Sequence, residues 1–292
     1  MPDHPALAPV ARLDARTFVQ LVNDYAGTDL ELLGPAPGGQ VGAAFVRWPD
    51  GRDGVLTRGH GTAGAVRQTA DILRLARSRG LPVPHYELVT VVPGAVAIVQ
   101  ERLPGQPPER AARHVVEAMV ALIDRCRGLL ADRPDVPPPD LHLRRSGPGF
   151  SVHESLAAYS PRTARLLAWV RKVGETGQAT MQGDDLVHLD FHPENVLVDE
   201  DGSITGIVDW DGIARGDRRF MLVTLRFSAA PLGADPDTVA WLDRLIDDWL
   251  DRPTLRAYWA AMSLRQVDWA IRHFGPSEVE RELTLAESRI PV

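Results

Sequence analysis

Apolar residues Phe18, Leu21 and Val22 recur at helical spacing behind Asp14, a candidate N-cap, which predicts a short helix over Leu13–Tyr25. The period then shortens. Leu30–Leu33, Gly42–Trp48 and Gly54–Arg58 read as strands, the last two joined by turn formers from Pro49 to Gly54, so an antiparallel meander is expected. Val66, Ile72, Leu73 and Ala76 restore the helical period over Thr62–Arg79, and Gly80-Leu-Pro-Val-Pro84 ends it. Two further β-rich runs, Tyr86–Val92 and Ala95–Glu101, flank Pro93-Gly94. The break at Leu103-Pro-Gly-Gln-Pro-Pro108 sets the domain boundary, giving an amino-terminal lobe of residues 1–102 and a second lobe of residues 103–292.

Beyond that break the pattern is helical at Glu109–Leu130, His153–Val173, Asp237–Leu250, Pro253–Phe274 and Ser277–Ser288, with Pro134–Gly149 as a proline-rich surface loop. The expected fold is α+β and bilobal: a small antiparallel-sheet lobe with one crossing helix, then a larger, mostly helical lobe.

Composition narrows the function classes. With 44% hydrophobic and 24% charged residues the chain is of the globular type, and its net charge of -7 argues against a nucleic-acid partner, which calls for a basic stripe. Cys126 is the single cysteine, so no internal disulfide can form, as suits a reducing cytoplasm. No segment approaches the ~18 apolar residues of a membrane span. A cytoplasmic monomer or weak dimer with a small-molecule substrate is expected.

The chemistry lies in His188-Leu-Asp190-Phe-His-Pro-Glu-Asn195. This run spaces an acid and an amide as phosphoryl transfer requires, the carboxylate to orient a hydroxyl and the amide oxygen to help hold magnesium. A hairpin follows, with Val196–Asp199 and Ile204–Val208 about the turn Glu200-Asp-Gly202. Antiparallel partners are roughly 5 Å apart at Cα, so Asn195 and Asp209 could share one Mg2+, with Asp211 close by. The plainer alternative is a polar loop that caps a hairpin, with His188 satisfied in the core.

Leu186-Val-His-Leu-Asp-Phe-His-Pro-Glu-Asn-Val-Leu197, Gly206-Ile-Val-Asp-Trp-Asp211 and Arg215-Gly-Asp217 resemble motifs of the aminoglycoside phosphotransferase and choline kinase superfamily, which has a protein-kinase-like fold. The resemblance implies that Asp190 is the catalytic base or hydroxyl-orienting group, that His188 supports the loop, and that Asn195 and Asp209 are the magnesium ligands. ATP, or GTP, is the implied phosphoryl donor. Gln100, Glu101 and Arg102 fall in the segment similar to the family's hinge, the backbone from Ile98 to Arg102 facing the adenine. Gly38 and Gly39 sit where a nucleotide-covering loop belongs.

Two positions depart from the family pattern. Lys172 is the sole lysine, and the strand expected to carry a phosphate-binding lysine ends Val55-Leu-Thr-Arg58, leaving Arg58 as the substitute, Thr57 as the other alignment, and Gln68 or Asp71 as imperfect partners. Met221 stands where the family often has an aspartate that braces the second lobe.

The resemblance implies transfer of the γ-phosphoryl group to a hydroxyl of a small cationic natural product such as an aminoglycoside or peptide antibiotic. The acids Asp235, Asp237, Asp243, Asp247, Asp248, Asp251, Asp268 and Glu278 would suit a polycation, or else form an ordinary solvated face. Asp211, Asp268 and Trp269 are the substrate-binding candidates. A metabolic kinase for choline, homoserine or a sugar is the alternative within the class, and a catalytically impaired protein that sequesters its ligand is the alternative outside it.

Overall fold

The computed structural model describes residues 14–36 and 42–290, which divide into two compact units. The first comprises 14–36, 42–108 and 194–213; the second comprises 109–193 and 214–290. The hairpin after the catalytic motif therefore belongs with the amino-terminal sheet, although a hundred residues separate them in sequence.

In the first unit, α1 (Ala15–Ala26) starts at Asp14, whose side chain accepts the Thr17 N–H, and stops at Gly27, which takes a left-handed φ of 64°. Strands β1 (Glu31–Ala36), β2 (Ala43–Arg47) and β3 (Asp53–Gly59) form the meander, α2 (Ala63–Ser78) crosses, and β4 (Tyr86–Val92) and β5 (Ala95–Glu101) complete a five-stranded antiparallel sheet of order β1-β2-β3-β5-β4. The crossover places β5 in the interior, paired with both β3 and β4.

Each face of this sheet takes one helix. Ala44, Val46, Leu56, Ala97 and Val99 pack with Phe18, Val19 and Val22 of α1. On the other face a Cβ at Gly59 would run into Val66 of α2 and Ile98. Residues alternate between the faces, so Leu56 and Arg58 look toward α1 whereas Thr57 and Gly59 look toward α2.

The hairpin pairs β6 (Val196–Val198) with β7 (Ile204–Ile207). It is fastened to the sheet unit through backbone bonds from Ile207 N–H to Pro82 O at 2.7 Å and between Gln106 and Val198 in both directions.

The second unit is built on α3 (Arg113–Arg125), α4 (His153–Tyr159), α5 (Pro161–Thr176), α6 (Phe220–Ala229), α7 (Pro236–Trp249), α8 (Arg252–His273) and α9 (Pro276–Glu287). The single helix expected over His153–Val173 is two helices. Ser160 is extended and forms a capping box with Thr163, and Pro161 begins the new helix at the position where a missing N–H costs nothing. Pro134–Gly149 does run as a loop, yet Val136, Leu141 and Leu143 are buried and pin it down. A short β8 (Asp185–His188) pairs with β9 (Ile213–Gly216) and carries the chain into the catalytic motif. No helix among the described residues is long and apolar enough to cross a membrane.

Candidate active site

In the helical unit β8 delivers a fully buried His188, whose N–H donates to the Met221 Sδ at 3.4 Å. The thioether thus occupies the bracing position expected of an aspartate, as a weaker acceptor. His188 in turn accepts the Asp190 N–H on Nδ1 at 3.1 Å, which fixes the loop backbone where the carboxylate departs. His192 Nε2 lies 3.3 Å from Asp190 Oδ2. Arg265, from α8, donates to the Leu189 carbonyl at 2.6 Å and sits 3.8 Å from Asp190 Oδ1.

Burial opposes the charge on Asp190, but the His192 hydrogen bond and the charges of His192, Arg265 and His188 outweigh it and hold the acid well below the usual carboxylate range. With 45% of its side-chain surface open, Asp190 is an ionised acceptor that a hydroxyl can reach. Arg265 was not legible in the sequence. It lies 75 residues from Asp190 on a helix whose charges read as a routine solvated face. His192 stood inside the motif.

Asp217 is buried and accepts from the Arg219 backbone and guanidinium and from the Tyr258 hydroxyl at 3.0 Å. It anchors the start of α6 to α8.

In the sheet unit the hairpin register pairs Val196 with Ile207, and the Val208 N–H donates to Asn195 O at 2.9 Å. The residue opposite Asn195 is therefore Val208, not Asp209 as expected. Asp209 follows one step later in the left-handed region, at φ 63° and ψ 59°. Few residues besides glycine tolerate that conformation, aspartate and asparagine among them, and it turns the chain out of the ladder into the 3-10 turn Trp210–Gly212.

Trp210 is buried beneath this turn and donates from Nε1 to Ile207 O at 2.8 Å. Asp211 Oδ2 is 2.6 Å from His60 Nδ1 at the end of β3. That hydrogen bond, against the effect of burial, raises the imidazole above its ordinary pKa. Burial, and after it the negative charges of Asp211 and Asp209, push the Tyr86 hydroxyl upward.

Asn195 and Asp209 carry an amide oxygen and a carboxylate, the hard oxygen donor types that magnesium takes. Among the described residues no group of three or more His, Cys, Asp or Glu side chains gathers as a metal site. A pair of protein oxygens fits an ion whose remaining positions go to water and substrate phosphates, and does not fit a closed structural site.

The nucleotide-side expectations need correction. Arg58 does not lie on the α2 face: its guanidinium sits 5.7 Å from the Phe18 ring on the α1 face, and its Nε is buried with no hydrogen-bond partner. Thr57 is the β3 residue on the α2 face, opposite Ile98. Asp71 pairs with Arg74 at 2.8 Å. Glu101 binds Arg77 at 2.6 Å, and Arg102 stacks 4.0 Å from the Phe45 ring, so both side chains are engaged within the unit.

The backbone of Gln100 lies inside the sheet between Val55 and Tyr86, and the Glu101 N–H donates to His85 O. Gly38 and Gly39 lie outside the described residues.

On the acceptor side Asp268 is also corrected. It is fully buried, accepting from Val152 N–H at 2.9 Å, Ser155 Oγ at 2.5 Å and Arg272 at 2.9 Å, and so holds α4 against α8. Trp269 is half-buried, with its ring centroid 4.5 Å from Phe274 and 6.5 Å from Phe150.

The sequence model of the Phosphotransferase enzyme family covers residues 33–264. The chain belongs to this family. Among solved structures this family member is similar to a thermostable mutant of the aminoglycoside phosphotransferase APH(4)-Ia, with 18% identity and a TM-score of 0.63 over 92% of this chain and 97% of that one. It is also similar to the aminoglycoside phosphotransferase APH(3'')-Id from Streptomyces rimosus, solved with ADP and streptomycin, at 19% identity and a TM-score of 0.54 over 87% of this chain and 99% of that one. The macrolide 2'-phosphotransferase MphH from Brachybacterium faecium gives 18% identity and a TM-score of 0.54 over 96% of this chain and 99% of that one.

Such identities speak for the fold: a small antiparallel-sheet lobe and a larger helical lobe. A curated relative, hygromycin-B 4-O-kinase from Escherichia coli, is 32% identical over 82 residues, and the match spans 28% of this chain and 24% of the relative.

Proposed function

We propose that this family member transfers the γ-phosphoryl group of ATP, with magnesium, to a hydroxyl of a small natural product of the antibiotic class. The observation that carries this reading is Asp190, kept ionised beside Arg265 and His192 in a loop fixed by His188. Asn195 and Asp209 would hold the ion, which supplies charge neutralisation at the transferring phosphoryl group when bound.

Asp190 accepts a hydrogen bond from the acceptor hydroxyl and orients its oxygen. It takes the proton as that oxygen gains its bond to phosphorus. His188 and Arg265 keep the carboxylate from turning away, which is where positional precision enters. Family membership supports the reaction class, and the neighbours' acceptors, aminoglycosides and a macrolide, support the antibiotic class without selecting a compound.

The test is a mass gain of one phosphoryl group on members of an antibiotic and metabolite panel incubated with protein, magnesium and ATP or GTP. Asp190→Asn should lower turnover by about 10²–10⁴-fold while nucleotide affinity holds. Undiminished turnover in that variant would remove Asp190 from its role. One observation favours a ligand-sequestering protein instead: Arg58, the expected phosphate cation, is turned to the α1 face. Acceptor binding with no magnesium-dependent turnover on any panel member would select that reading.

A further inference from the structure

The helical unit bears on the charge of the acceptor. Of the acids on and around α7 to α9 that would suit a polycation, most are committed to holding helices. Asp235 and Asp251 cap α7 and α8 through Thr238 and Thr254. Asp243 binds Arg226 and Arg289, and Asp247 binds Arg289. Asp268 is buried and Glu278 accepts from Ser277. Asp237 and Asp248 remain, both on α7.

The stripe that leaves the catalytic loop is on α8. Arg265 and Trp269, both half-buried, and the exposed His273 follow one another at i, i+4 and i+8, so they share one helix face. Trp269 and His273 lie with ring centroids 6.0 Å apart, and Phe150 stands 5.5 Å from His273.

Beside Asp190 this stripe is not electronegative. Arg265, 3.8 Å away, offsets the carboxylate's charge, so a point cation gains little there and selectivity falls to directed hydrogen bonds, of which the guanidinium is a donor. Among the described residues the guanidinium's protein partners are the Leu189 carbonyl, the Met262 Sδ and the looser contact to Asp190, fewer than the five N–H groups of its planar fork.

From this arrangement we propose that Arg265 and Trp269 form an acceptor subsite for an oxyanion, a carboxylate or phosphate, carried near the reacting hydroxyl, with a ring of the acceptor lying against Trp269. The substrate class is then an acidic, ring-bearing hydroxyl compound and not a polycation. The inference rests on the phosphotransferase reading for the identity of the reacting group, and its binding test is separable from that reading.

Calorimetry on the full chain with magnesium and ADP would compare phenyllactate and phenyl phosphate with the amine phenylalaninol and with streptomycin. At least one oxyanion should bind about tenfold or more tighter than phenylalaninol, as a charge-assisted bidentate contact gives. Which of the two binds tighter separates carboxylate from phosphate. Arg265→Gln should abolish that gap and Arg265→Lys should keep part of it, with circular dichroism showing both variants folded.

A gap that survives Arg265→Gln, equal or absent binding of all four probes, or tighter binding of streptomycin overturns the subsite. If Arg265→Gln does not fold, Trp269→Ala takes its place and should weaken the ring-bearing oxyanion about fivefold or more through lost contact with the ring; unchanged affinity overturns the proposal. With ATP in place of ADP, an oxyanion gap without any phosphoryl mass gain counts against the phosphotransferase reading alone, and phosphoryl gain on amines alone counts against the subsite alone.

Discussion

Cys126 shows how burial silences a reactive group. Enclosed at the end of α3, its thiol is pushed up to about 12, first by burial and then by the charge of Asp185. The thiolate is the nucleophile, so iodoacetamide at pH 8 should leave the folded protein unlabelled and label it in urea, as mass spectrometry would record. Tyr258 makes a different contribution. Its hydroxyl bonds to the buried Asp217, which Arg219 also holds, so Tyr258→Phe removes one hydrogen bond to a charged group and leaves the ion pair. A loss of about 1.5–3 kcal/mol in urea unfolding is expected. Arg58 shows the limit of sequence reading at this scale. Strand alternation separates Thr57 from Arg58, but which face α1 covers is decided by tertiary packing that no local pattern encodes.

At the scale of elements, α1 and α2 were legible from their helical period, β2 and β3 from alternation, and β4 and β5 as β-rich runs around Pro93-Gly94. The helix α6 was not. Nearly every residue from Phe220 to Phe227 is buried, so the segment has no polar face to mark a period, and its short apolar run could pass for a strand. The break at Ser160 was concealed differently, since apolar positions continue across it while the capping box supplies the stop.

The catalytic loop and hairpin were legible as motif and turn. The register that sets Val208 opposite Asn195 includes a bulge between Leu197 and Val198, which moves the partner one residue closer to Asp209 and which residue types alone do not announce. Gly105 tests how the hairpin is seated. At φ 94°, with Thr205 and the Val198 carbonyl where a Cβ would go, it lets the Pro104 segment approach the hairpin. Gly105→Ala should therefore lower the thermal midpoint by several degrees, about 1–3 kcal/mol of backbone strain and clash. The same change at Gly51, which is also left-handed but opens on empty space, should cost less.

For the whole molecule, the expected boundary at residue 102 follows the chain, whereas the compact units do not. Residues 194–213 join 14–36 and 42–108, so the border between units falls inside the motif, after Pro193. Asp190 is thereby carried by the helical unit, and Asn195 and Asp209 by the sheet unit. A fragment ending at Pro108 would lack the partners of Pro82 and Gln106, and its amides should exchange hydrogen faster than the same amides in the full chain.

The fastening of Ile207 to Pro82 and of Val198 to Gln106 also orders events in time. A chain emerging from the ribosome exposes the sheet first, yet that unit cannot close until its last strands have been made some ninety to one hundred and twenty residues later. The sheet is made before α3 to α5 and its unit is completed only after them. During translation the backbone groups at Pro82 and Gln106 wait without the partners they have in the finished fold.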